Sequence, residues 1–104
     1  MVALYWIDCI RRAPVCSTFV KPYSAEQIQE AYGAAVKHFR LKAEFTQMKL
    51  ASMADLHLSY VSDIERGRRN VGIVNAIRLS HVLDVPTDKF FNEVERLLRR
   101  SVHR

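Results

Sequence analysis

"TQMKLASMADLHLSYVSDIERG", residues 46–67, decides the fold, because two short amphipathic runs meet across a brief break. In the first run Leu50, Ala51 and Ala54 share one helical face, and Thr46 stands where an N-cap is needed. In the second, Val61 and Ile64 are three apart, so they share one side of a helix covering about 58–66. The break at "ADLH" suits a turn: Asp55 tolerates a left-handed conformation, Leu56 is an apolar plug, and His57 or a neighbour opens the next helix. Gly67 is a stop signal. The functional question is what the polar side of the second run faces.

Working outward, "SAEQ" before it has the form of a capping box, with Ser24 as N-cap and Gln27 reaching back. Ile28, Tyr32, Ala35, Val36 and Phe39 follow at helical spacing, so the first helix spans 25–43. Beyond "GRRNVG", Ile73, Ala76, Ile77, Ser80 and Leu83 mark a fourth helix. "DVPTD" ends it and starts a fifth, with Thr87 as N-cap after a proline that cannot continue a helix. Phe90, Phe91, Val94, Leu97 and Leu98 give that last helix a wide apolar face. No run alternates as a strand does, and no repeat occurs. The expected fold is all-α: a compact five-helix bundle preceded by an irregular N-terminal segment.

Residues 1–23 form an N-terminal extension containing Pro14 and Pro22 and lacking a helical period. Its Val2, Tyr5, Trp6 and Ile7 suit docking on the domain, a short strand or a mobile arm alike. The domain proper is assigned to 24–98, and 99–104 to a basic tail.

The 104 residues carry 16 Lys and Arg against 11 Asp and Glu, a net +5 that suits an anionic partner, nucleic acid before membrane. Cys9 and Cys16 are too few for a disulfide scaffold, and the four histidines are scattered, so no metal and no cofactor are expected. No stretch approaches a membrane span, and the chain reads as cytoplasmic. Acids, histidines and thiols are not grouped at catalytic spacing and no glycine-rich phosphate loop is present, which argues against an enzyme.

Two short helices joined by a tight turn, the second polar outward, describe a helix-turn-helix. Such a unit projects the N-terminal end of its second helix, where backbone N–H groups and the helix dipole favour phosphate and side chains reach base edges in a major groove. Residues 46–91 closely resemble the Cro/repressor-type, or XRE, helix-turn-helix family in Thr46-Gln47, Leu50-Ala51, Val61-Ser62, Ile64-Glu65, Gly67, Leu83, Val85 and Phe90. "IERGRRN" and "FF" are also similar to the small controller proteins of restriction–modification systems. Glu44 and Asp55 stand where the family often has glycine, Gly72 where it has a capping hydroxyl, and His57 where serine is frequent.

The resemblance places Leu58, Ser59, Tyr60, Ser62 and Asp63 at base-reading positions. Ser59 pairs with donor or acceptor bases, Leu58 suits a thymine methyl, and Tyr60 a phosphate or a flexible step. Asp63 is repelled by phosphates unless it accepts from cytosine or holds a neighbouring arginine. Gln47 resembles a family glutamine that bonds a phosphate and braces the recognition helix. Arg66, Arg68, Arg69 and Asn70 follow that helix and are assigned to phosphate. Glu65 and Arg40 match a family ion pair joining the first and third helices. Phe90, Phe91, Val94 and Leu97 are assigned to a two-fold dimer contact that sets two recognition helices about 34 Å apart.

The leading expectation is therefore a sequence-specific DNA-binding transcriptional regulator, a repressor acting as a homodimer on a palindromic site in double-stranded DNA, with its own promoter as one candidate target. The alternative is a protein-interaction module, such as an antitoxin that binds a toxin partner through residues 1–23 or the fifth helix.

Overall fold

A computed structural model describes residues 23–102 of the chain. The N-terminal extension up to residue 22, with both cysteines, lies outside the described residues. Five helices follow in order: α1 Ala25–Lys42, α2 Gln47–Ala54, α3 Leu58–Glu65, α4 Ile73–Val82 and α5 Thr87–Val102. The described residues contain no strand. Helix α5 continues through Arg99 and Arg100, so the basic run begins as helix rather than trailing from residue 99.

Local chemistry explains the starts. Ser24 Oγ accepts from Gln27 N at 3.1 Å while Gln27 Oε1 accepts from Ser24 N at 2.8 Å, the full capping box. Thr46 Oγ1 accepts from Lys49 N at 3.0 Å at the start of α2. Helices α3 and α4 begin at His57 and Gly72 with no side-chain cap. Thr87 is not the N-cap of α5. The first helical bond is accepted by Pro86 O from Phe90 N, and the Thr87 hydroxyl turns instead towards Ser80 Oγ, 3.3 Å away.

The ends share one device. After each of α1 to α4 the chain passes through a left-handed residue: Glu44 (φ 62°), Asp55 (φ 58°), Gly67 (φ 77°) and Asp84 (φ 59°). Each closes a Schellman pair of backbone bonds, as in Glu44 N to Leu41 O and Phe45 N to Arg40 O, both 3.0 Å. Only one of these four positions is glycine.

The core draws on all five helices: Tyr32, Val36, Leu50, Val61, Ile64, Leu79 and Phe90 are among its buried members. Helix α1 packs against α3 and α5, and α2 against α3 and α4. Phe90 is 0% exposed, with its ring 5.2 Å from Tyr32 and 5.4 Å from Phe39. The Tyr32 hydroxyl donates to Ala76 O at 3.1 Å, tying α1 to α4.

Two expectations about faces need correction. Ile28, Ile73 and Ile77 follow the helical period but stand exposed; the buried face of α4 is Ala76, Leu79 and Ser80. Phe90 and Val94 fill the interior of a single chain, so neither presents a surface to a partner. Leu97 is half-buried against the core, and of the four residues only Phe91, at 37%, is exposed.

Candidate nucleic-acid interface

The polar side of α3 is positioned by a seam with α1. Two glycines allow the backbones to meet there. A Cβ on Gly33 would overlap the carbonyl oxygen of Ile64, and one on Gly67 would lie 3.0 Å from Glu30 Cα and 2.8 Å from Glu30 Cγ. Gly67 is legible as a stop in the sequence; Gly33, mid-helix, carries no signal in its spacing.

An ion-paired cluster closes the same seam. Arg40 Nε meets Glu65 Oε2 at 2.6 Å and Arg40 Nη2 meets Glu65 Oε1 at 3.0 Å, with side-chain exposures of 9% and 3%. Arg40 Nη1 also donates to Phe45 O at 2.8 Å, and Gln47 Nε2 donates to Glu65 Oε1 at 3.0 Å. The carboxylate is thus fully partnered, which a buried charge requires. Gln47 links the start of α2 to the end of α3, and remains half-exposed.

With Val61 and Ile64 buried, the remaining sides of α3 face outward. Leu58 and Ser59 are exposed at its N-terminal end, and Ser62 and Asp63 are half-exposed. Tyr60 is less free than its neighbours: it packs partly against the core, and its hydroxyl accepts from Asn75 Nδ2 at 3.5 Å. Past Gly67, Arg68, Arg69 and Asn70 are exposed, as is Arg66 before it. Arg69 differs from the rest in being paired, its Nε 3.6 Å from Asp63 Oδ2. Chemically this is a surface of hydroxyls and one apolar tip, rimmed by guanidinium groups and lying at an uncapped helix N-terminus.

An adjoining surface is largely apolar, with Gln29, Arg69 and Asn70 also lining it. Ile28, Ile73 and Phe91 line one groove with Tyr32, Val71 and Ala76. Ile73 is 68% and the adjoining Val74 63% exposed, and Ile77 extends the patch by one turn of α4.

Comparison with known proteins agrees with this fold. The signature of the helix-turn-helix family matches residues 36–90. Over 59 residues the chain is 46% identical to the control protein C.BamHI of Bacillus amyloliquefaciens, covering 56% of this chain and 73% of that one. Over 70 residues it is 33% identical to the control protein C.MunI of a Mycoplasma species, covering 66% and 95%. Among solved structures it is similar to the restriction–modification controller protein C.Esp1396I, crystallised as a tetramer with its natural 35-base-pair operator. That likeness has 28% identity and a TM-score of 0.64, over 68% of this chain and 93% of that one.

Proposed function

The chain belongs to the helix-turn-helix family, homologous to the controller proteins of restriction–modification systems, and from that membership we propose that it is a repressor that binds a palindromic operator as a homodimer. The family consists of DNA-binding transcription regulators rather than enzymes. The observation that carries the finer reading is the seating of α3: its apolar residues are sealed into the seam with α1 while Leu58 and Ser59 project at its uncapped start. In this reading α3 enters the major groove, Leu58, Ser59, Tyr60 and Ser62 meet base edges, and Gln47, Arg66, Arg68 and Asn70 hold phosphates.

Homodimerisation is supported by the apolar groove between α1, α4 and α5. Exposed apolar side chains gathered in one groove and rimmed by polar residues suit a protein–protein contact. A two-fold contact centred on Ile73 and Phe91 replaces the assignment to Phe90 and Val94, and it sets the two copies of α3 at successive major grooves, about 34 Å apart.

Selection of bound duplexes from a random pool tests the proposal. The expected result is a pair of inverted half-sites about one helical turn apart. Ser59→Ala should change preference at one base pair, whereas Arg68→Ala should weaken all sequences alike and reduce the salt slope by about one. Enrichment of single, unpaired sites, or identical behaviour of the two variants, would refute this assignment of roles.

A further inference from the structure

The groove of Ile28, Ile73 and Phe91 lies beside the point where the first 22 residues join the domain. Tyr23 packs against the core, and Ser24, the N-cap of α1, stands four residues before Ile28, about 6 Å along the helix axis. The groove is walled by Tyr32, Val71 and Ala76 besides its exposed apolar residues, and Arg69 lies on its rim with its side chain 54% exposed.

The sequence before Tyr23 contains a segment whose chemistry matches this groove. Residues 2–10, "VALYWIDCI", lie outside the described residues; they carry four large apolar side chains in succession, Leu4, Tyr5, Trp6 and Ile7. Such side chains gain most from leaving water. The one charge in the run is Asp8, opposite in sign to Arg69 on the rim. Joined to α1 through residues 11–22, the segment meets the groove at an effective concentration on the order of millimolar, whereas a second copy of the chain arrives only at its bulk concentration.

We propose that residues 2–10 dock in the groove of Ile28, Ile73 and Phe91 and compete there with a second copy of the chain. A partner must displace the segment, so the apparent dimer affinity falls with the fraction of chains whose groove is free. The extension thereby sets the protein concentration at which dimers form. The inference rests on the reading of this groove as the two-fold contact.

The test follows Trp6, the one tryptophan of the chain, by emission and acrylamide quenching in the full-length protein, beside sedimentation. In dilute wild type Trp6 should be shielded, and it should become exposed as concentration rises through the dimer transition. Ile73→Glu and Ile28→Glu, both at exposed positions, should expose it without lowering Tm. Leu41→Glu, at an exposed apolar residue near the other end of α1, should leave it shielded. Trp6→Ser should lower the apparent dissociation constant of the dimer at least about fivefold. Trp6 exposed in dilute wild type, shielding that survives Ile73→Glu, equal exposure in Leu41→Glu, or weaker or absent dimers in Trp6→Ser would each overturn the proposal. A protein that enriches no duplex would overturn the regulator reading alone, because none of these measurements uses DNA.

Discussion

Replacing Gly33 by alanine sets two effects of known size against each other. On an isolated helix the change gains about 1 kcal/mol, because alanine loses less backbone freedom. Here the new Cβ would overlap Ile64 O and lie 3.1 Å and 3.2 Å from the carbonyl carbons of Ile64 and Glu65. These are main-chain atoms, so no rotamer change relieves the contact; α1 and α3 must move apart. Overpacking of this kind costs about 1–3 kcal/mol. Separation also lengthens the bonds that Arg40 and Gln47 make to Glu65, now 2.6–3.0 Å, and this adds to the loss. We expect Gly33→Ala to be less stable by about 1–2 kcal/mol after the helix gain is subtracted, with an unchanged urea m-value. In a domain of this size that lowers Tm by roughly 4–15 °C. A Gly33→Ala protein that melts at or above the wild type would mean that only helix propensity acts at residue 33, and the close backbone seam would be refuted.

Removing one partner from the Arg40–Glu65 pair strands a buried charge, so Arg40→Met should cost about 3–5 kcal/mol in urea denaturation; a loss under 1 kcal/mol would identify the pair as solvated. Glu44→Gly should raise stability by about 1 kcal/mol by relieving a side chain at φ 62°, and Asp55→Gly by less, because a short acid tolerates that geometry. Burial first, and the nearby Tyr60 second, hold the Tyr32 hydroxyl pKa well above its ordinary value of 10.0. The folded state therefore retains the proton that the unfolded chain gives up: this contribution is intact below pH 10.0 and is lost as pH rises further. Tyr32→Phe should cost about 1 kcal/mol at neutral pH and flatten the alkaline limb of a stability-versus-pH curve. Ile73→Glu should give a sedimenting monomer at micromolar concentration and reduce operator affinity without altering the bases selected; an unchanged dimer would remove α4 from the contact.

Three capping sites are legible in the sequence, while Thr87, which has the same residue type as Thr46, is displaced from that role by Pro86. Ser24 with Gln27, Thr46 and Asp55 act through short-range bonds whose geometry is set within four residues, and each sits where spacing placed it. Val61, Ile64, Leu50 and Ala51 were legible because their helices are apolar on one side only. Periodicity failed on α4, where Ile73 and Ile77 repeat as regularly as Ala76 and Ser80, so the pattern fits two faces and burial selects the smaller residues. It failed likewise at Phe90 and Phe91, adjacent aromatics about 100° apart on the helix, of which one fills the core. The left-handed turn at Asp84 was hidden within a segment already explained by Pro86. At the site, Gly33 reads as an ordinary mid-helix glycine until the opposing backbone is known. The Asp63–Arg69 contact joins residues six apart, a spacing that no helix brings together; the reversal at Gly67 creates it.

Helix α1 carries Gly33 on the side pressed to α3 and Ile28 on the groove it shares with α4 and α5. One helix therefore spans from the proposed self-association patch to the proposed reading edge, with main chain close to main chain where Gly33 meets Ile64. In a pair of chains it would work like the arm of a calliper. The gap between the two tips is fixed by how the helices meet at their far ends, so a misfit of one methyl group at Ile28 would register as a change in the operator spacing the pair tolerates.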